Sequence, residues 1–112
     1  MNSKINYELK KLHLKERFPK SYAKLLKDKK EVYPDSLYGT LDSWFFSLGF
    51  DVIATPYPNG FKPFIKLYEN NIFNKNDEFI EVSEVIDKNS EISYRKAIEK
   101  SFSLLEDILP WQ

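Results

Sequence analysis

The chain has 112 residues, the size of one domain, which is enough to bury a core without covalent cross-links. It contains no cysteine, so disulfides and thiolate metal sites are excluded. Its 17 basic and 17 acidic residues give a formal net charge of zero, and aromatic residues make up 16% of the chain. So many large rings indicate an aromatic-rich core and argue against disorder.

Charge is divided unevenly along the chain. Residues 1–33 contain ten Lys/Arg and four acids, a net +6, whereas residues 34–112 contain seven bases and thirteen acids, a net −6. We therefore predict a basic helical extension over 1–33 and an α+β domain over 34–112. Such a dipole can orient the molecule on a charged partner, or the extension can fold back and neutralise the acidic body. The sequence leaves both alternatives open.

The basic extension is predicted to hold two helices, one from about Lys4 to Phe18 and one from Pro19 to about Lys30. Apolar residues lie on two nearly opposite faces of the first: Ile5, Leu9 and Leu12 on one, and Tyr7, Leu14 and Phe18 on the other. A helix that is apolar on two sides is either sandwiched or offers one side to a partner.

This extension supplies the candidate partner-binding residues. Its lysines could also hold phosphates, although an ordinary solvated helix face is the simpler interpretation. The candidates are Tyr7, Lys10, Lys11, Leu14, Lys15, Arg17, Phe18, Lys20, Lys24 and Lys27.

A central helix is predicted to follow Pro34. Asp35 or Ser36 can cap its first turn, and Gly49 can end it in a left-handed conformation. Its apolar stripe consists of Leu37, Leu41, Trp44, Phe45 and Leu48, at the spacing of one helix face.

Three strands are predicted next, over residues 50–55, 61–68 and 79–86. The Asn59-Gly60 pair favours a tight reversal between the first two. Pro63 lies inside the second strand and predicts an edge position or a bulge there.

A final helix is predicted over 93–109, ended by Pro110. The order α-β-β-β-α predicts a three-stranded antiparallel meander with its helices on one face and the other face open.

Residues for chemistry are sparse. A single histidine, His13, cannot build a histidine metal site or set up a serine triad by itself, and no glycine-rich phosphate loop is present. Four acids remain as an acidic patch: Asp77, Glu78, Glu81 and Glu84. Strand alternation places Glu81 and Glu84 on opposite faces, so a solvated rim is favoured over a catalytic pair. We expect no catalytic residues, no metal, no cofactor and no small-molecule substrate.

Two resemblances bear on function. Leu48-Gly49-Phe50, which ends a helix before a hairpin, and the segment Ser93-Tyr94-Arg95-Lys96-Ala97-Ile98, which opens the final helix, resemble small accessory proteins of phages and mobile elements over about two-thirds of the chain. That group includes anti-CRISPR and anti-restriction proteins that bind a nuclease and block its substrate. The resemblance implies an inhibitor that contacts a host RNA-guided (CRISPR) nuclease or its RNA complex.

The element order is also similar to that of the double-stranded RNA-binding domain. In that family a basic cluster opens the last helix and contacts phosphates. Arg95, Lys96 and Lys100 stand in that place, but the hairpin lacks the family's histidine and nearby acids crowd the cluster. This resemblance implies RNA binding as the alternative function.

The expected function is therefore that of a non-enzymatic binding protein with a protein partner. In the specific form, the helical extension docks on the nuclease while the acidic patch repels or mimics nucleic acid. No apolar run reaches the length that spans a bilayer and no leader segment is visible, so we expect a cytoplasmic protein without membrane contact.

Overall fold

The computed structural model describes residues 13–28 and 37–110, apart from the side chains of residues 37–40. Its elements are helices α1 (Leu14–Arg17), α2 (Pro19–Asp28) and α3 (Leu37–Ser47), strands β1 (Phe50–Tyr57), β2 (Gly60–Leu67) and β3 (Glu78–Glu81), and helix α4 (Ser90–Ile108). The α+β class is confirmed, as is the α-β-β-β-α order. The expected boundary at residues 33–34, the caps Asp35 and Ser36 and most of the first predicted helix lie outside the described residues.

The described residues divide into two compact units. One contains residues 13–28, 37–44 and 102–110, and the other contains residues 45–101. The buried side chains of the first unit are mostly large and apolar: Leu14, Phe18, Leu25, Leu41, Trp44, Phe102 and Leu105. The Phe102 ring centroid lies 6.1 Å from that of Phe18 and 5.6 Å from that of Trp44. The aromatic-rich core expected from composition is therefore present in this unit.

A polar contact joins α2 to α3 in the first unit. The buried Trp44 indole N–H donates to Asp28 Oδ2 at 2.9 Å, and Lys24 Nζ lies 3.3 Å from the same oxygen. Burial opposes ionisation of Asp28, but the hydrogen bonds from Trp44 and Lys24 outweigh it and lower the pKa of this carboxyl. The indole N–H thus has the partner that a buried donor requires.

The second unit is built on an antiparallel meander in the order β1-β2-β3. Phe50 pairs with Leu67 and Val52 with Ile65, and these four side chains are buried on one face. Ala97 and Ile98 of α4 supply further buried side chains of the unit. The alternate positions of β1 and β2 are only half-buried, so the sheet has one buried face and one open face, as the sequence predicted.

The hairpin turn is tight. Tyr57 pairs with Gly60, so Pro58 and Asn59 form the two-residue turn. Gly60 has a φ of +153°, and a Cβ at this position would collide with the backbone oxygen of Asp87. Only glycine allows both this backbone conformation and this close approach.

Pro63 does not lie in an edge strand or at a bulge. β2 is the central strand, and its pairing with β1 is continuous through Pro63 and Ala54. The edge prediction was therefore wrong. The carbonyl oxygen of Pro63 accepts from the Val82 amide at 2.9 Å, on the side of β3, and the ladder of β3 has already ended at Glu81. Because both backbone groups of a strand residue point to the same neighbour, the missing N–H of Pro63 costs no bond to β1.

β3 is shorter than expected. It spans Glu78–Glu81, whereas the alternating pattern predicted a strand over 79–86. Beyond it, Ser83 Oγ accepts from the Val85 amide at 3.1 Å, a local bond that turns the chain away from the ladder. The chain returns to β2 at Asp87, whose backbone exchanges two hydrogen bonds with Phe61.

Candidate functional site

Register aligns the side chains of the open sheet face. Asp51 of β1, Lys66 of β2 and Phe79 of β3 are successive Cα partners across the three strands. Tyr68 follows the end of β2, and its hydroxyl donates to Asp51 Oδ2 at 2.5 Å. This hydrogen bond to the carboxylate, reinforced by burial and by the negative charge, raises the pKa of the Tyr68 phenol. The hydrogen bond holds the Tyr68 ring at the edge of the open face. The phenol is neutral at physiological pH.

Three aromatic side chains form a row that leads from α3 onto this face, which we call the aromatic row: Phe46 of α3, Tyr68 and Phe79. The Phe46 and Tyr68 rings meet edge-to-face with centroids 5.9 Å apart. Lys66 Nζ links Tyr68 to Phe79, since it lies 4.9 Å from one centroid and 5.4 Å from the other. Phe46 and Phe79 remain 64% and 62% exposed. Phe46 and Phe79 therefore stand at the two ends of a row of contacts that runs through Tyr68 and Lys66, and both rings are largely in solvent. Exposed aromatic side chains grouped in this way are typical of contact surfaces.

A second cluster lies nearer the hairpin. Lys62 Nζ is 5.0 Å from the centroid of the Tyr57 ring and 3.2 Å from Glu81 Oε1. Glu81 therefore belongs to an ion pair on the open face, as the register with Phe64 also indicates. The aromatic row and this cluster together give the open face a mixed aromatic and charged surface.

The predicted acidic patch is not one patch. Glu78 pairs with Leu67 and so lies on the opposite sheet face from Glu81, whereas Glu84 lies beyond β3. The alternation argument that separated Glu81 from Glu84 therefore does not apply, because the strand has ended. Asp77 and Glu78 instead line a cleft of about 550 Å³ at the end of β2. The other lining residues are Lys66, Leu67, Tyr68, Glu69 and Phe79.

The loop beside this cleft is held by a buried asparagine. Asn71 Nδ2 donates to the carbonyl oxygens of Tyr68 and Lys75, and its Oδ1 accepts from the amides of Phe73 and Lys75. One side chain thus uses its full hydrogen-bonding capacity to close the loop on itself. The amide of Ile72 also donates to the carbonyl oxygen of Leu48. The loop that carries Glu69 and Asp77 is therefore tied down by its backbone.

The basic triad at the start of α4 is largely paired. Arg95 lies 3.1 Å from Glu91, and Lys96 Nζ donates to Asp87 Oδ1 at 2.6 Å. Lys100 is exposed. The structure thus brings two of the three predicted nucleic-acid contacts into ion pairs within the domain.

Asp87 follows the four acids of the predicted patch in the sequence, and the sequence assigned it no structural role. Its side chain is buried, and its Oδ2 accepts from the buried Ser93 hydroxyl at 2.6 Å. The hydrogen bonds from Lys96 and then from Ser93 lower the pKa of this carboxyl against the opposing effect of burial. Its position just before a helix start was the available signal, since acids are favoured there.

The predicted docking residues of the extension divide between core and surface. Leu14 and Phe18 are buried in the first unit, so neither side chain is presented to a partner as that prediction requires. The Phe18 ring lies against that of Phe102. Lys15, Arg17 and Lys27 are exposed and Lys20 and Lys24 half-buried, whereas Tyr7, Lys10 and Lys11 lie outside the described residues.

Glu106 is a second residue that the sequence did not indicate. Its carboxylate accepts from the amides of Lys20 and Ser21 and from the Ser21 hydroxyl, at 2.9–3.0 Å. It therefore caps the start of α2, where Phe18 precedes Pro19 and has no polar side chain to act as a cap. Burial acts against ionisation, but the amides of Ser21 and Lys20 outweigh it and lower the pKa of Glu106. A proline-led helix without a capping residue was the signal that an acceptor must come from elsewhere.

Within residues 13–28 and 37–110, no group of three or more His, Asp or Glu side chains is arranged to hold a metal ion. Over the same residues, none of the helices combines the length and the apolar character needed to cross a membrane.

Comparison with known protein families, with curated protein sequences and with solved structures finds no match to this chain.

Proposed function

We propose that this chain is a binding protein whose partner is another protein, and that the open sheet face is its contact surface. The aromatic row carries the proposal, because Phe46 and Phe79 are about two-thirds exposed although each is held against a neighbour. Aromatic residues are enriched among the side chains that dominate binding energy at protein interfaces. Their fixed positions reduce the conformational entropy lost on binding.

In its specific form, the proposal is a cytoplasmic inhibitor of a host RNA-guided nuclease. This form rests on the resemblance to accessory proteins of phages and mobile elements. The aromatic row takes the anchoring role in place of Leu14 and Phe18, which are buried. Exposed cations of the extension, among them Lys15 and Lys27, remain available for contacts at the rim of an interface.

A cleavage assay tests this form. A panel of purified, guide-loaded bacterial RNA-guided nucleases is titrated with the protein while target cleavage and binding are followed. We expect inhibition of at least one nuclease. Phe46→Ser combined with Phe79→Ser should weaken that binding about tenfold or more, because the aromatic anchors are lost.

The matched control removes two exposed apolar side chains elsewhere in the same unit, with Val85→Ser and Ile92→Ser. It should bind and inhibit like the unchanged protein. If the protein, added in molar excess, neither binds nor inhibits any nuclease of the panel, this result would count against the proposal of a nuclease inhibitor. Equal weakening by the two double variants would count against the open face as the contact surface. Circular dichroism of each variant verifies that it is folded.

RNA binding is the second candidate. Lysines that lie over exposed rings, as Lys62 does at Tyr57 and Lys66 at Phe79, are the elements of surfaces that stack single strands. The pairing of Arg95 and Lys96 with carboxylates makes the α4 end a weaker phosphate site. Gel-shift titration at two salt concentrations distinguishes this candidate, since affinity for nucleic acid falls steeply as salt rises.

A further inference from the structure

The cleft at the end of β2 gives the open face a negative rim. The cleft, the open face and the adjoining loop together contain five carboxylates and three amino groups, which gives a net charge of −2. The carboxylates are Asp51, Glu69, Asp77, Glu78 and Glu81, and the amino groups are Lys62, Lys66 and Lys75. Of the five acids, Glu81 is paired with Lys62 and Asp51 accepts from Tyr68.

The carboxylates of the other three acids have no partner within residues 13–28 and 37–110. Glu69, Asp77 and Glu78 are exposed, and none of their carboxylates has a hydrogen bond or an ion pair to another described residue. The cation that lines the cleft, Lys66, lies instead over the rings of Tyr68 and Phe79. The three carboxylates line the same cleft as Phe79. Glu69 and Asp77 lie on the loop that Asn71 holds in place, and Glu78 begins β3.

This combination suits one kind of occupant. A guanidinium or ammonium group gains from a ring face as well as from a carboxylate, and an arginine can satisfy both at once. A nucleic-acid backbone, by contrast, would bring phosphates against the three free carboxylates, which like-charge repulsion disfavours. In the contact with a partner protein, the aromatic row would bind apolar side chains and the cleft would bind cationic ones.

We infer that the cleft receives an arginine- or lysine-bearing segment of the partner protein, with its cationic groups on Glu69, Asp77 and Glu78 and its apolar groups on Phe79. This inference rests on the proposed protein-binding function and names the chemistry of the partner surface. A protein surface that binds nucleic-acid phosphates is rich in arginine and lysine, as the inferred partner segment is. If the partner is an RNA-guided nuclease, the cleft competes with nucleic acid for the basic surface of that nuclease.

A peptide titration tests the inference without any nuclease. The probe is a short fluorescein-labelled peptide in which arginine and leucine alternate, and its counterpart carries glutamate in place of arginine. We expect the basic peptide to bind at low salt and to shift the backbone amide resonances of residues 66–69 and 77–79. The triple variant Glu69→Gln, Asp77→Asn, Glu78→Gln should bind it about tenfold more weakly, since three ion pairs are lost.

The control triple variant, Glu16→Gln, Glu84→Gln, Asp107→Asn, removes the same charge from exposed acids outside the cleft. It should change the affinity less than about twofold. Phe79→Ala, which alters no charge, should weaken binding about threefold to tenfold through the lost ring.

Three results would overturn the inference. These are equal weakening by both triple variants, no binding of the basic peptide, and tighter binding of an oligothymidine strand than of the peptide at the same residues. The first two leave the proposed protein-binding function standing, because that function is judged by the nuclease panel and by Phe46 and Phe79. The third would favour nucleic acid as the ligand of the open face.

Discussion

Replacing Asp87 with alanine is expected to lower the free energy of unfolding by about 3 kcal/mol. The change removes a buried carboxylate that joins the start of α4 to the end of the preceding loop. It leaves the buried Ser93 hydroxyl without its acceptor and releases Lys96. An unsatisfied buried hydroxyl and a broken charge-assisted bond both favour the unfolded chain. Urea denaturation followed by tryptophan fluorescence measures the difference.

The contribution of Asp87 should depend on pH. Hydrogen bonds from Lys96, and then from Ser93, lower the pKa of Asp87 in the folded state, so the folded protein holds this proton less tightly than the unfolded chain does. Its stabilisation is therefore complete above the unfolded-state pKa, about 4, and is lost as pH falls through the lower folded-state pKa. The stability difference between the unchanged protein and Asp87→Asn should hold from neutral pH to about pH 5 and shrink at more acid pH.

Two partner variants complete this experiment. Ser93→Ala is expected to cost about 1 kcal/mol, and Lys96→Met about 2 kcal/mol, because it leaves the buried Asp87 carboxylate without its cation. The double variant Asp87→Asn, Lys96→Met should cost less than the sum of the two changes, since both break one ion pair. Additive effects, or a difference at Asp87 that does not change with pH, would contradict the ion pair as the source of its stability.

Sequence periodicity predicted most of the second unit because its signals are local. Alternation and the Pro-Asn-Gly turn defined the hairpin, and Gly49 ended α3 with a φ of +91°. The position of Pro63 could not be predicted by the same reasoning. Whether a proline breaks a ladder depends on which neighbour its missing N–H faces, and on where that neighbour's strand ends. Both are properties of the assembled sheet.

The aromatic row was visible in part. Phe46 lies off the apolar stripe of α3, and Phe79 alternates with Ile80, and these patterns were the available signals that both side chains are exposed. Their grouping with Tyr68 became visible only in the fold, through strand register for Phe79 and through the ring contact for Phe46. Leu14 and Phe18 illustrate the opposite case. A helix apolar on two sides is compatible with a sandwiched or a partner-facing position, and burial in the first unit decided between these alternatives.

Replacing Glu106 with glutamine is expected to lower the free energy of unfolding by about 2 kcal/mol. Its carboxylate accepts three hydrogen bonds at the start of α2, from the amides of Lys20 and Ser21 and from the Ser21 hydroxyl. The neutral amide keeps one acceptor oxygen but loses the negative charge that the helix N-terminus favours. Its NH₂ group would also face N–H donors. Thermal and urea denaturation measure the loss.

The same contacts determine how the stabilisation by Glu106 changes with pH. Burial favours the protonated acid, but the amides of Ser21 and Lys20 favour the carboxylate more strongly, so the pKa of Glu106 is lowered on folding. The stabilisation is present above the ordinary glutamate pKa, about 4.3, and disappears as pH falls through the lower folded-state value. The stability difference between the unchanged protein and Glu106→Gln should therefore narrow below about pH 4.

Asp107→Asn is the matched control, because the neighbouring acid is exposed and lies one residue along the same helix. It should change stability by less than about 0.5 kcal/mol. Ser21→Ala removes the hydroxyl but keeps both backbone amides, so it should cost less than Glu106→Gln. If Asp107→Asn destabilised as strongly as Glu106→Gln, general charge on α4 would explain the effect and the capping role would be refuted. If only Glu106→Gln does so, the start of α2 depends on an acceptor 85 residues away in sequence.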